Sequence, residues 1–150
     1  MNGSLGPKPQ VNAKRKVNGV IFSDLGRASS FMELEWVQQA LRKSLGFLPY
    51  PATLNLRPRA EEDSSAWAMI QKELKGVELP PAGSGFCSAQ LFWVEISRPV
   101  TTGNRTVKGA VLLPEVPGYP KDKIEVVAPV RLKDEFGVRD GDQLTLEFVN

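Results

Sequence analysis

Apolar and polar positions alternate in short runs, broken often by glycine (13 residues) and proline (12). Val17–Phe22 is a β-branched and aromatic run that stops at Ser23-Asp24-Leu25-Gly26, a turn sequence. Ser30 and Glu33 then stand in capping-box spacing. After them Leu34, Val37, Leu41 and Leu45 recur at helical spacing, and Gly46 is placed to end the helix in the left-handed conformation. Leu54–Leu56 is a brief strand after Pro49-Tyr50-Pro51. Glu61–Asp63 followed by Ser64-Ser65 opens a second helix, with Trp67, Ile70 and Leu74 on one side and Gly76 closing it. Pro80-Pro81 and Gly83-Ser84-Gly85 predict a loop. Gln90–Ile96, Val107–Leu113, Ile124–Val127 and Gln143–Val149 predict the later strands, with one or two helical turns over Arg131–Phe136 and a turn at Asp140-Gly141. Five or six short strands with one or two helices predict a mainly β domain. A small closed barrel removes the exposed strand edges that short strands create, and an open α+β sandwich is the alternative the pattern allows.

Composition narrows the chemistry. The chain has 150 residues, one domain's worth, and no apolar run of membrane-spanning length or signal-peptide type. Cys87 is the single cysteine and histidine is absent. Disulfide frameworks, thiolate zinc sites, Ser-His and Cys-His nucleophile pairs and histidine acid–base catalysis are thereby excluded. A reducing, cytoplasmic setting is the expectation, and any metal must be a hard ion held by oxygen. Residues 1–16 carry four basic residues and no acid, leaving 15 basic against 17 acidic residues in the remainder. The slightly basic balance thus belongs to a segment read as a disordered, solvated tail, ahead of a single domain over 17–150. Nucleic acid, which needs clustered cations on a folded face, is not an expected partner.

Neither a G-x-x-x-x-G-K-[ST] loop nor a strand-linked G-x-G-x-x-G is present. Thr53 and Asn55, two apart on a strand, share a face, and both are hard neutral oxygen donors suited to Mg²⁺; two polar residues facing solvent would have the same spacing. Glu125 interrupts an apolar strand, as a ligand contact or as a side chain turned to water. Arg131 and Lys133 follow Pro129 where cations or backbone N–H groups would meet an anion, or would form a solvated helix face. Trp36, Trp67 and Trp93 read as packing residues.

Taken together these positions resemble the archaeal CTP-dependent riboflavin kinases. The stretch Val20-Ile21-Phe22-Ser23-Asp24-Leu25-Gly26, the helix, and Leu45-Gly46-Phe47-Leu48-Pro49-Tyr50-Pro51-Ala52-Thr53-Leu54-Asn55-Leu56 are similar to that family's strand ending in S-G-L-G-E-G, its helix and its L-G-F-x-P-Y-x-G-T-L-N. Ile124-Glu125-Val126-Val127-Ala128-Pro129-Val130-Arg131-Leu132-Lys133, through Asp140-Gly141-Asp142, resembles its I-E-I-I-A-P-x-x-L-R and D-G-D blocks. Residues 58–106 match only in their expected strands. The resemblance implies a closed six-stranded cradle-loop barrel, related to swapped-hairpin barrels. It also implies transfer of the CTP γ-phosphoryl group to riboflavin, giving FMN and CDP. By position, Thr53 and Asn55 would hold Mg²⁺, and Glu125 would contact the flavin. Asp24, Leu25, Gly26, Arg27, Ala28 and Ser29 would cradle the nucleotide together with Val130, Arg131, Leu132 and Lys133. Phosphoryl transfer needs positioning and charge neutralisation more than a covalent catalyst, which suits a chain without histidine. This sequence departs from the pattern at Asp24 and Ala28, where the family has glycine, at Arg27 for its glutamate, at Ala52 for glycine, and at Pro117 for a flavin-side threonine. A flavin- or nucleotide-binding module without catalysis is the alternative those changes allow. A monomer is the expected state.

Overall fold

The computed structural model describes residues 15–23, 35–79, 88–99 and 105–149. Among them are strands β1 (Lys16–Phe22), β2 (Leu54–Pro58), β3 (Val77–Leu79), β4 (Ala89–Ser97), β5 (Val107–Pro114), β6 (Ile124–Val127) and β7 (Gln143–Phe148). Three helices accompany them: α1 (Glu35–Leu45), α2 (Glu61–Glu73) and α3 (Leu132–Phe136). The strands run in the order β3-β4-β5-β6-β2-β1-β7, and β7 pairs back to β4, so six strands close a barrel. Every pairing is antiparallel. The open sandwich is therefore excluded. One nine-residue strand makes closure possible: along a single edge of β4, Ala89–Leu91 pairs with β3 and Val94–Ser97 with β7. β3, which the sequence does not announce, thus lies outside the ring as a seventh strand.

Period-two burial turns Val17, Ile21, Leu56, Val94, Ile96, Val111, Ile124, Val126, Leu144 and Leu146 into the barrel, where they form one apolar cluster. α2 contributes Trp67 and Ile70 to it, and Trp67 stacks on Phe148 at 5.4 Å and meets Phe92 edge-on at 5.7 Å. Asp63 is buried because it works: its carboxylate accepts from Ala60 N (3.2 Å) at the start of α2 and from Asn18 N (2.8 Å) on β1. α2 gives way at Leu74 to extended backbone, so Gly76 does not close it by a left-handed turn. Instead Gly76 packs against β4, where a Cβ would lie 2.9 Å from the Gln90 side chain and 3.1 Å from the Leu91 carbonyl.

A second cluster covers the outside of the barrel. Val37, Leu41 and Leu45 of α1 pack on Leu79, Leu91, Ala110, Leu112 and Val127. α1 ends as the sequence predicts, with Gly46 at φ +82° donating to Arg42 O at 2.8 Å. The Ser30–Glu33 capping box, Leu34, the 80–87 loop with Cys87, and residues 1–14 lie outside the described residues. Lys16, the last residue of the expected tail, already begins β1, and Arg15 O accepts from Phe148 N at 2.8 Å.

Candidate functional site at one end of the barrel

Register decides where the site lies. Phe22 of β1 pairs with Asn55 of β2, and Asn55 pairs with Glu125 of β6. The antiparallel order therefore brings the C-terminal end of β1, the N-terminal end of β2 and the C-terminal end of β6 to the same rim. α3 starts there as well, four residues beyond Ala128. β1, β2 and β6 are separated by dozens of residues in sequence, and hydrogen-bonded pairing joins them.

On this rim a cleft of about 120 Å³ opens between the approach to β2 and the start of α3. Tyr50, Ala52, Thr53, Val130, Arg131 and Lys133 line it. The structure thus brings Thr53 together with Val130, Arg131, Leu132 and Lys133, the segment expected to meet phosphate. Asn55 and Glu125 sit one step along the same wall and face the same way, since directly paired residues of a sheet share a face. Neither points to water: Asn55 is 7% exposed and Glu125 6%. The solvent-facing readings of Thr53, Asn55 and Glu125 are corrected by this geometry. All four residues of β6 are buried, because the barrel interior covers one face and the α1-side cluster reaches Val127 on the other.

The polar chemistry of the wall is incomplete at two atoms. Thr53 Oγ1 and Asn55 Oδ1 are buried and have no hydrogen-bond partner among the described residues. An unpaired buried oxygen costs about 1–3 kcal/mol, so such atoms are rare unless a water, ion or ligand completes them. Two neutral oxygens on one face fit a hard divalent cation that draws its remaining ligands and its counter-charge from phosphate and water. Among the described residues no three acidic or cysteine side chains gather into an alternative metal site.

Glu125 accepts from the Tyr119 hydroxyl, and Lys123 Nζ stands 3.9 Å from the same carboxylate oxygen. A turn delivers Tyr119: Val116 O accepts from Tyr119 N at 3.1 Å across Pro117-Gly118, with Gly118 at φ +81°. Proline followed by a positive-φ glycine is the residue pair this turn requires. Pro117 therefore acts through backbone geometry, and the hydroxyl near Glu125 comes from Tyr119. The sequence carried that signal in its Pro-Gly-Tyr order. On the other side of Asn55, Arg57 lies over the Phe22 ring at 4.1 Å and 3.9 Å from Asp122.

The two cations of the α3 start are each matched by a carboxylate. Arg131 Nη1 bonds Asp134 at 2.7 Å and Lys133 Nζ bonds Asp140 at 2.9 Å. Asp140 also accepts from Ser23 Oγ at 2.6 Å, and these two donors, Ser23 first, hold its carboxyl below the ordinary aspartate range. Backbone bonds knit the same turn to β1, with Gly141 N donating to Ile21 O (2.9 Å) and Ile21 N to Asp142 O (2.8 Å). Asp140, readable in the sequence only as a turn residue, thus links the cleft to Ser23, where β1 leads into 24–29. Asp24, Leu25, Gly26, Arg27, Ala28 and Ser29 lie outside the described residues.

Comparison with known proteins bears on this site. A family model named for CTP-dependent riboflavin kinase, and described as domain of unknown function DUF120, matches residues 21–148. A riboflavin kinase of Pyrobaculum calidifontis is 34% identical over 138 residues, covering 90% of this chain and 60% of its own length. One of Archaeoglobus fulgidus is 32% identical, covering 89% of this chain and 54% of its own length. One of Aeropyrum pernix is 32% identical, covering 88% of this chain and 94% of its own length. The chain thus spans about three fifths of the first of these relatives and nearly all of the third. The matched region holds every rim residue described above, from Phe22 through Asp142, and the chain belongs to the CTP-dependent riboflavin kinase family.

Proposed function

We propose that this protein transfers the γ-phosphoryl group of a nucleoside triphosphate, CTP, to riboflavin, forming FMN and a nucleoside diphosphate. The observation that carries the reading is the pair of buried, unbonded oxygens, Thr53 Oγ1 and Asn55 Oδ1, between a cleft with two cations and a buried carboxylate. In this reading Thr53 and Asn55 hold Mg²⁺, which when bound supplies charge neutralisation to the phosphate oxygens. Arg131 and Lys133 offer cations on the nucleotide side, and the backbone of Val130 and Leu132 shapes that wall. Asp24–Ser29 complete the nucleotide cradle. Glu125, oriented by Tyr119 and Lys123, accepts a hydrogen bond on the flavin side.

The reaction asks for little else. The terminal hydroxyl oxygen of the ribityl chain bonds to the γ-phosphorus, the bond from that phosphorus to the β–γ bridging oxygen breaks, the nucleoside diphosphate leaves with that oxygen, and the hydroxyl proton passes to solvent water. Alignment of two substrates across the Thr53–Asn55 wall and neutralisation of phosphate charge are the main demands of such a step. The neutral donor set fits this. A site whose ligands are themselves uncharged takes its negative charge from the nucleotide, so metal and phosphate bind together.

Purified protein incubated with riboflavin, Mg²⁺ and each of CTP, ATP, GTP and UTP tests the reading, with FMN and nucleoside diphosphate resolved by chromatography. FMN with CTP, lost in Asn55→Ala, is the expected result. Absence of FMN with every donor from folded protein overturns it, and flavin or nucleotide binding without turnover would then assign the rim to a non-catalytic module.

A further inference from the structure

Tyr50 lines the cleft with 36% of its surface exposed, and it is the one aromatic among the described residues that line it. Large exposed aromatic side chains are unremarkable when they sit on free backbone. This one does not. Tyr50 N donates to Ala128 O at 2.7 Å and Tyr50 O accepts from Ala52 N at 2.7 Å. Pro49 before it is buried, and Pro51 after it confines Tyr50 to extended backbone. Four constraints thus hold the main chain at a residue that stays exposed at the cleft. The ring shares its cleft with the orphaned hydroxyl of Thr53 and with Arg131 and Lys133, whereas Glu125 is not part of that lining.

We infer that Tyr50 is a stacking platform for the base of the nucleotide donor, held ready by its backbone. The inference rests on the proposed nucleotide side of the rim and goes beyond it by naming what meets the base. A planar π face attracts any base and discriminates weakly among them. Tyr50 therefore supplies affinity for the nucleotide, and the choice among bases comes from other groups.

Calorimetric titration with CDP, with riboflavin and with inorganic tripolyphosphate, each with Mg²⁺, tests this in wild type, Tyr50→Ala, Tyr50→Leu, Tyr50→Phe and Tyr50→Trp. The backbone bonds at Tyr50 do not involve its side chain, and thermal unfolding confirms that each variant is folded. Tyr50→Ala and Tyr50→Leu are expected to weaken CDP by about 5- to 150-fold, the range of one base–aromatic stack. Tyr50→Phe and Tyr50→Trp stay near wild type, riboflavin and tripolyphosphate affinities are unchanged, and UDP weakens in step with CDP. Unchanged CDP binding in Tyr50→Ala or Tyr50→Leu overturns the platform while leaving the nucleotide side intact. Weakened riboflavin in place of CDP assigns the ring to the flavin and overturns it too. A wild type that binds no nucleoside diphosphate overturns the nucleotide side itself, and the platform with it.

Discussion

Replacing Thr53 by valine separates what its hydroxyl costs the folded protein from what it does for a ligand. Thr53 Oγ1 is buried and unbonded among the described residues. A hydroxyl left in that state costs about 1–3 kcal/mol, whereas a methyl in its place costs nothing in desolvation and keeps the β-branched shape. Allowing for imperfect packing of the new methyl, Thr53→Val is expected to raise the unfolding free energy by about 1 kcal/mol. For a chain of this size that is an increase of about 2–4 °C in melting temperature. Thr53→Ser keeps the oxygen and removes a methyl from a half-buried residue, so it is expected to lower stability by less than about 0.8 kcal/mol. The assay is thermal unfolding followed by circular dichroism, without ligand and with Mg²⁺ and CDP, beside FMN formation. Wild type and Thr53→Ser gain stability from the ligands through preferential binding to the folded state, and Thr53→Val does not. Its turnover is lost although its apo form is the more stable. A Thr53→Val protein that is destabilised by about 1 kcal/mol, or that keeps Mg²⁺-dependent turnover, refutes the reasoning, because the hydroxyl would then be satisfied within the protein or irrelevant to the metal.

Two other perturbations probe the frame of the site. A Cβ at Gly109 would lie 2.4 Å from Val127 O and 3.0 Å from Ile96 Cδ1, so β5 and β6 would have to part. Gly109→Ala is expected to cost about 3 kcal/mol in urea unfolding, and a loss under about 1 kcal/mol would mean the barrel wall yields more easily than its packing implies. Asp140→Asn tests the link between Lys133 and Ser23. Its carboxyl is lowered in the folded state, so its contribution is present above the unfolded-state value, about 3.9, and fades as pH falls through the lower folded value. The stability difference between wild type and Asp140→Asn is therefore expected to be flat from about pH 5 to pH 8 and to vanish in stronger acid. A difference that grows on acidification would assign the effect to another group.

Much of the element structure is local and was readable. The stripe Val37, Leu41, Leu45 with Gly46 after it specifies α1, and the β-branched runs specify six of the seven strands. β3 escaped because three residues are too few to show a period, and Val77-Glu78-Leu79 becomes a strand only by pairing with Ala89–Leu91. Gly76 differs from its expected role for a related reason. A glycine after a helical stripe fits two physical roles, a positive-φ cap and a close approach, and only the position of β4 chooses between them.

The site divides in the same way. Alternation along the chain determined that Thr53 and Asn55 share a face, and the residue types made them oxygen donors for a hard ion. Alternation says nothing about what lies against that face. Asn55 and Glu125 are buried in the folded wall, and Glu125 is met there by Tyr119 and Lys123, contacts that depend on how the chain packs around β6. Likewise Asp140 and Ser23, 117 residues apart, meet only after β1 and β7 have paired. The sequence by itself determined most of the elements and the donor atoms, since these follow from short-range spacing and side-chain chemistry, whereas closure into a barrel in place of an open sandwich was decided by the long-range pairing of β4 with β7. The tertiary structure alone decided which donors are stripped of water and left unpaired, since desolvation belongs to the packed assembly and has no local signature.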